Sequence, residues 1–240
     1  MKLKKAFTLA EVLITLGVIG VVAAMTMPTL INKYQKKITV ERLKSTYSIL
    51  SQAIKLSEIE NGPIDMWDTS AASGYNEDNY NKGKTFFEKY LAPYIKIVKE
   101  CKYLSNECWG ESYTEMRGNV SGHWSASSNH SYSVVLTNGV LIGIYMAYND
   151  LVQIHIDING KSNPNILGKD GFDMAIKKQG IYNDYINVEN SGIYLVGSGL
   201  DKAKLTNPNI IYSCTKSGYG TFCPALIMID GWQIKDDYPW

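Results

Sequence analysis

Histidine is scarce in this chain, three in 240 residues. None of them, His123, His130 or His155, stands in a metal-ligand or nucleophile pattern. No phosphate-cradling glycine loop and no dinucleotide fingerprint occurs either. These absences leave no sequence grounds for catalysis, and the chain reads as a non-enzyme. An excess of one charge is lacking too. Twenty-four basic and 23 acidic residues leave a net charge of +1, without the electrostatic footprint of a nucleic-acid binder. Cysteine is sparse, four in all, and neither Cys101/Cys108 nor Cys214/Cys223 has the short spacing of a zinc site. Beyond residue 31 no apolar run is long enough to cross a bilayer.

What is present lies first at the start. A basic leader with Lys2, Lys4 and Lys5 runs into an apolar segment from Phe7 to Ile31. About 25 residues of helix suffice for a hydrocarbon core of roughly 30 Å. One acid, Glu11, interrupts it. A carboxylate inside such a helix costs on the order of 2.5 to 3.5 kcal/mol, somewhat less near an end, so it asks for a functional reason. A cleaved secretory signal and a plain single-pass anchor are the ordinary alternatives. Against the first stand the length of the run, the acid, and the missing small-residue cleavage pattern; Met27-Pro28-Thr29-Leu30-Ile31 leads straight into another helical pattern.

The stretch Lys4-Lys5-Ala6-Phe7-Thr8-Leu9-Ala10-Glu11 resembles the processing site of type IV prepilins and type II secretion pseudopilins. The resemblance implies that prepilin peptidase cuts between Ala6 and Phe7, leaves the helix attached and methylates Phe7. It makes Glu11 the acid used in assembly, and Gly17, Gly20 and Pro28 the places where such helices loosen. Ala6 departs from the family's usual glycine before the cut. The implied partners are other pilin or pseudopilin subunits, an inner-membrane assembly platform and the membrane itself. The leader lysines orient the start towards the cytoplasm. The implied location is therefore the bacterial inner membrane, with the C-terminal domain outside it, and then a pilus or pseudopilus. Glu11 would neutralise the new Phe7 amine, either in its own chain or in a neighbour.

In chain order the expected parts are the leader 1–6, the membrane or filament-core helix 7–31, an amphipathic continuation 32–60 and a globular domain 61–240. Val40, Leu43, Tyr47, Leu50 and Ile54 form one apolar helical stripe. It suits a coiled-coil seam or, as the resemblance implies, the face of a sheet. Asn61-Gly62-Pro63 stops the helix. A polar excursion follows, then a helix over 85–91. Residues 101–129 read as a long loop, with Trp109, His123 and Trp124 among small polar residues. Strands are expected over 131–136 and 140–146, joined through Asn138-Gly139, and over 151–158, 172–176, 193–196 and 226–229. In the third strand His155 and Asp157 share a face, expected to be solvated. A long helix followed by an antiparallel sheet gives an α+β, pilin-like arrangement.

The cysteines suit an oxidising compartment. They allow three pairings, of which the local one, Cys101 with Cys108 and Cys214 with Cys223, is the expectation. The segment from Asp157 to Phe172 is similar to a loop of prepilin-like proteins, some of which bind calcium. The resemblance makes Asp157, Asn159, Asn163 and Asp170 candidate ligands, calcium being the one cofactor in view. The spacing fails the EF-hand pattern, and Asn and Asp also serve ordinary turns. The aromatic, acidic tail through Trp240 is expected to cap the domain. The implied function is a structural pilin or pseudopilin subunit. The alternative is a minor tip pilin whose 61–130 region binds a substrate or surface as an adhesin.

Overall fold

From Leu9 the backbone winds into a single helix, α1, Leu9–Asn61, with Pro28 inside it. Gly62 ends it at a φ of +76°, a left-handed conformation that glycine adopts without a Cβ clash. The computed structural model describes residues 8–72, 74, 76–105, 107–122, 124, 130–148, 151–180 and 186–240, the side chains of 147 and 148 excepted. Two compact units divide the chain, 1–38 and 39–240.

In the first unit the described apolar side chains of α1 stand in the open, from Leu9 at 79% exposed to Met25 at 73%. A helix apolar on all sides and unburied needs a non-aqueous partner. It is the one helix among the described residues long and apolar enough to cross a membrane.

In the second unit α1 changes character. Val40, Leu43, Leu50, Ala53 and Ile54 are buried and join the main core. That core lies on one face of a six-stranded antiparallel sheet in simple sequence order. Its strands are β1 (Ile97–Cys101), β2 (Tyr132–Leu136), β3 (Leu141–Tyr148), β4 (Leu151–Asp157), β5 (Gly171–Lys177) and β6 (Gly192–Leu195). Alternation selects the core side chains: Val134, Ile142 and Ile144, Ile154 and Ile156, Met174 and Ile176. This is the α+β, pilin-like arrangement expected from the order of elements.

Three elements differ from the sequence reading. The helix expected over 85–91 begins earlier, as α2 (Glu77–Tyr90), because Asn76 caps it by accepting from the Asn79 amide at 3.2 Å. The expected strand 226–229 is helical, within α4 (Cys223–Ile229), after a four-residue α3 (Lys202–Leu205). Pro224 opens that helix, and a short apolar run carries no period that separates strand from helix. Strand β1 was not anticipated, since its residues other than Cys101 are exposed. Its register slips at Val98, and a bulge with flanking lysines blunts an edge strand against further pairing.

A fourth difference concerns the reverse face of the sheet. His155 and Asp157, expected to be solvated, are both fully buried. The segment after β1 folds back over this face and makes a second small core from Trp109, Tyr113, Trp124, Leu141 and Leu167.

Candidate functional site

Two places gather chemistry-bearing residues, one in each unit. The first is the start of α1. Thr8 precedes the helix, and its carbonyl accepts from the Val12 amide at 3.2 Å. Its hydroxyl donates to Glu11 Oε2 at 2.9 Å and accepts from the Glu11 amide at 3.2 Å. The Thr8 amide also donates to Oε2, at 2.8 Å. This is a reciprocal capping box, in which a Thr at the cap and a Glu three residues on satisfy each other's donors. Sequence reasoning singled out Glu11 and passed over Thr8, although Thr-x-x-Glu before an apolar run is a legible capping signal. The expected processing residues Ala6 and Phe7 lie outside the described residues, as does His123.

The second place is the reverse face of the sheet. Aromatic donors of the covering segment reach polar side chains on the strands. Trp109 Nε1 donates to Ser133 Oγ at 2.9 Å, the Tyr113 hydroxyl to Asp157 Oδ2 at 2.6 Å, and Trp124 Nε1 to Asp173 Oδ1 at 2.9 Å. Gly143, opposite His155 in the β3–β4 register, makes room for them: a Cβ there would stand 2.8 Å from the Trp109 ring. His155 Nδ1 lies 2.6 Å from Asp173 Oδ1, and its Nε2 is buried with no partner.

The loop after β4 meets this cluster. Asp157 Oδ1 accepts from the Asn159 amide at 3.1 Å. Asp170 accepts from the backbone of Asn165 (2.7 Å), Ile166 (2.5 Å) and Gly171 (3.1 Å). Burial pushes the Asp157 carboxyl up to about 8, against hydrogen bonds from Tyr113 and the loop amides and with added repulsion from Asp170. Burial raises Asp170 as well, opposed by its backbone donors. Tyr113 is raised, first by burial and then by the facing Asp157, so it remains a donor. Of the four residues expected as calcium ligands, Asp157 and Asp170 are buried, Asn159 is partly buried and Asn163 is exposed. The loop brings them close: Asn159 Nδ2 donates to the Asn163 carbonyl at 3.3 Å, and the Asn159 side chain hydrogen-bonds Asp170. Two amide oxygens, Asn159 Oδ1 and Asn165 Oδ1, are buried there without a hydrogen-bond partner. Tyr113 and Asp173 escaped sequence reasoning because their partners lie far along the chain; Asn165 did so although its partners Asn163 and Asp170 are close by in sequence.

Two disulfides staple the body, Cys101–Cys108 and Cys214–Cys223. The tail is anchored: Tyr238 is buried and its hydroxyl donates to the Gly168 carbonyl.

A family model described as "Family of unknown function (DUF6613)" matches residues 29–240. A second, the prokaryotic N-terminal methylation motif, matches residues 1–27. That motif is the prepilin-type cleavage and methylation signal of type IV pilins and pseudopilins. No curated protein and no solved structure matches the chain.

Proposed function

From its membership of the family of unknown function DUF6613, together with the methylation motif at its start, we propose that this chain is a filament-building subunit of a type IV pilus or type II secretion-like machine. The motif itself makes it a pilin- or pseudopilin-type subunit. One observation carries the rest: the motif is joined to a helix whose apolar side chains are exposed all round, while a separate body is folded and stapled by disulfides. In this reading prepilin peptidase trims the leader at Ala6–Phe7. The helix then waits in the inner membrane with the body outside, and the assembly platform packs it beside helices of identical or sibling subunits. Lipid and neighbouring helices are the two surroundings that suit such a side-chain set. Filaments sheared from the producing cells test it. The chain is expected in that fraction, and its confinement to the membrane under conditions of filament production contradicts the proposal.

Calcium at the loop after β4 is a further proposal. Hard cations take oxygen ligands, and here two buried carboxylates stand near the unpartnered Asn159 Oδ1 and Asn165 Oδ1. Asp157, Asn159 and Asp170 would hold the ion and tie the loop to the sheet. Calorimetry and melting with millimolar calcium decide. Heat of binding with a raised melting temperature supports the site, and neither effect removes it.

A further inference from the structure

We propose that the turn of α1 just past its apolar span, Lys33 to Lys37, is a collar for the headgroups of anionic phospholipid in the outer leaflet. This rests on the reading of the chain as a membrane-inserted subunit and adds a lipid partner to it. No Lys or Arg stands between Lys5 and Lys33, and no Asp or Glu between Glu11 and Glu41. Lys33, Lys36 and Lys37 then arrive within a single turn of helix. Lys33 and Lys37 are exposed and, four residues apart on an unbroken helix, share a face; Lys36, on the same face, is half-buried. Beside them Tyr34 is 63% exposed.

Depth selects the partner. From Leu9, where α1 begins, the helix runs about 36 Å to Lys33 and about 42 Å to Lys37, at about 1.5 Å per residue. A bilayer measured across both headgroup layers is roughly 40 to 45 Å thick. With the start of α1 at one surface, the lysine turn stands among the phosphates of the other, the depth at which interfacial Tyr residues collect. The sign of the charge is the unusual part, because basic residues ordinarily gather on the cytoplasmic side. In the proposed orientation, trimming removes Lys2, Lys4 and Lys5 from that side and leaves Lys33, Lys36 and Lys37 on the other. Before a neighbouring subunit arrives, the anions at that depth are lipid phosphates. Phosphatidylglycerol carries one with no compensating amine, so it suits the collar better than a zwitterionic lipid does. Such contacts hold the helix at a fixed depth while it waits for assembly.

The test uses the full chain with Lys2→Gln, Lys4→Gln and Lys5→Gln, so that the leader adds no charge, reconstituted in phosphatidylcholine vesicles. Spin-labelled phosphatidylglycerol and spin-labelled phosphatidylcholine are compared by the fraction of each immobilised at the protein. The expected preference for phosphatidylglycerol is about fivefold per lysine engaged. It is expected to fall towards parity in Lys33→Gln/Lys37→Gln, to persist in Lys33→Arg/Lys37→Arg, and to weaken in about 1 M salt. Gln is close to Lys in helix propensity, so the Gln variant keeps its helix, which circular dichroism checks. Equal association of the two lipids, or a preference unchanged in Lys33→Gln/Lys37→Gln, overturns the collar. Unchanged lipid association with a lower yield of sheared filaments from that variant assigns the lysines to an acidic protein partner and overturns it as well. A chain that fails to enter the vesicles at all overturns the membrane reading beneath it.

Discussion

Two acids in this chain, Glu11 and Asp157, sit where water does not compensate them, and each is answered by a residue close by in space. For Glu11 the near answer is Thr8, and in the proposed reading a neighbouring subunit supplies a second on assembly. Glu11→Ala is therefore expected to insert in the membrane normally and to yield few or no filaments, as counted in the sheared fraction. For Asp157 the answer is Tyr113, whose hydroxyl stands 2.6 Å away in a fully buried setting. Tyr113→Phe keeps the ring and leaves the carboxyl short of a donor. A cost of about 1 to 3 kcal/mol is expected, read as a lower denaturation midpoint of the full chain in detergent with no change in where the chain is trimmed. The two contacts differ in legibility. Thr8 and Glu11 are three residues apart and spell a capping box in plain sequence. Tyr113 and Asp157 are 44 apart, and no local pattern joins an aromatic in an irregular segment to an acid on a strand.

At the level of elements, the strands β2 to β5 were visible because alternation, β-branched residues and the Asn138-Gly139 turn all agree. What periodicity could not reveal was the second layer. His155 and Asp157 alternate with Ile154 and Ile156, a pattern that reads as one wet face, yet the segment carrying Trp109, Tyr113 and Trp124 covers them. That cover depends on close approach at Gly143. Gly143→Ala should overpack the Trp109 ring and cost about 1 to 3 kcal/mol, with a melting temperature below that of the natural chain. The end of α4 gives an acid-side prediction. Asp230 takes Lys202 Nζ at 3.0 Å and Lys235 Nζ at 2.8 Å. Burial raises its carboxyl, but the lysine hydrogen bonds win and hold it below its usual 3.8. A carboxyl lowered by folding contributes stability above that value and loses it as pH falls through the folded value. Asp230→Asn should therefore lower the melting temperature near neutrality and flatten the loss of stability below about pH 4; a melting series from pH 2 to 7 reads both.

The molecule as a whole joins a helix built for a non-aqueous partner to a body built for water. The body satisfies its own apolar surface on both faces of one sheet, and its four cysteines close two local loops. The large apolar side chains of residues 9–31 find no such satisfaction among the described residues. The class of the protein was legible in its first residues because a membrane signal is local and chemically extreme. The architecture of the body was legible only as far as strand periodicity reached, since covers and straps are set by contacts between distant segments. The account stands on retention of the apolar helix in the mature chain. The intact mass of protein extracted from the producing cell's membranes measures this directly. A mass corresponding to residues 7–240 with a methylated amino terminus and two disulfides is the result it requires. A soluble product beginning beyond the apolar helix would contradict it.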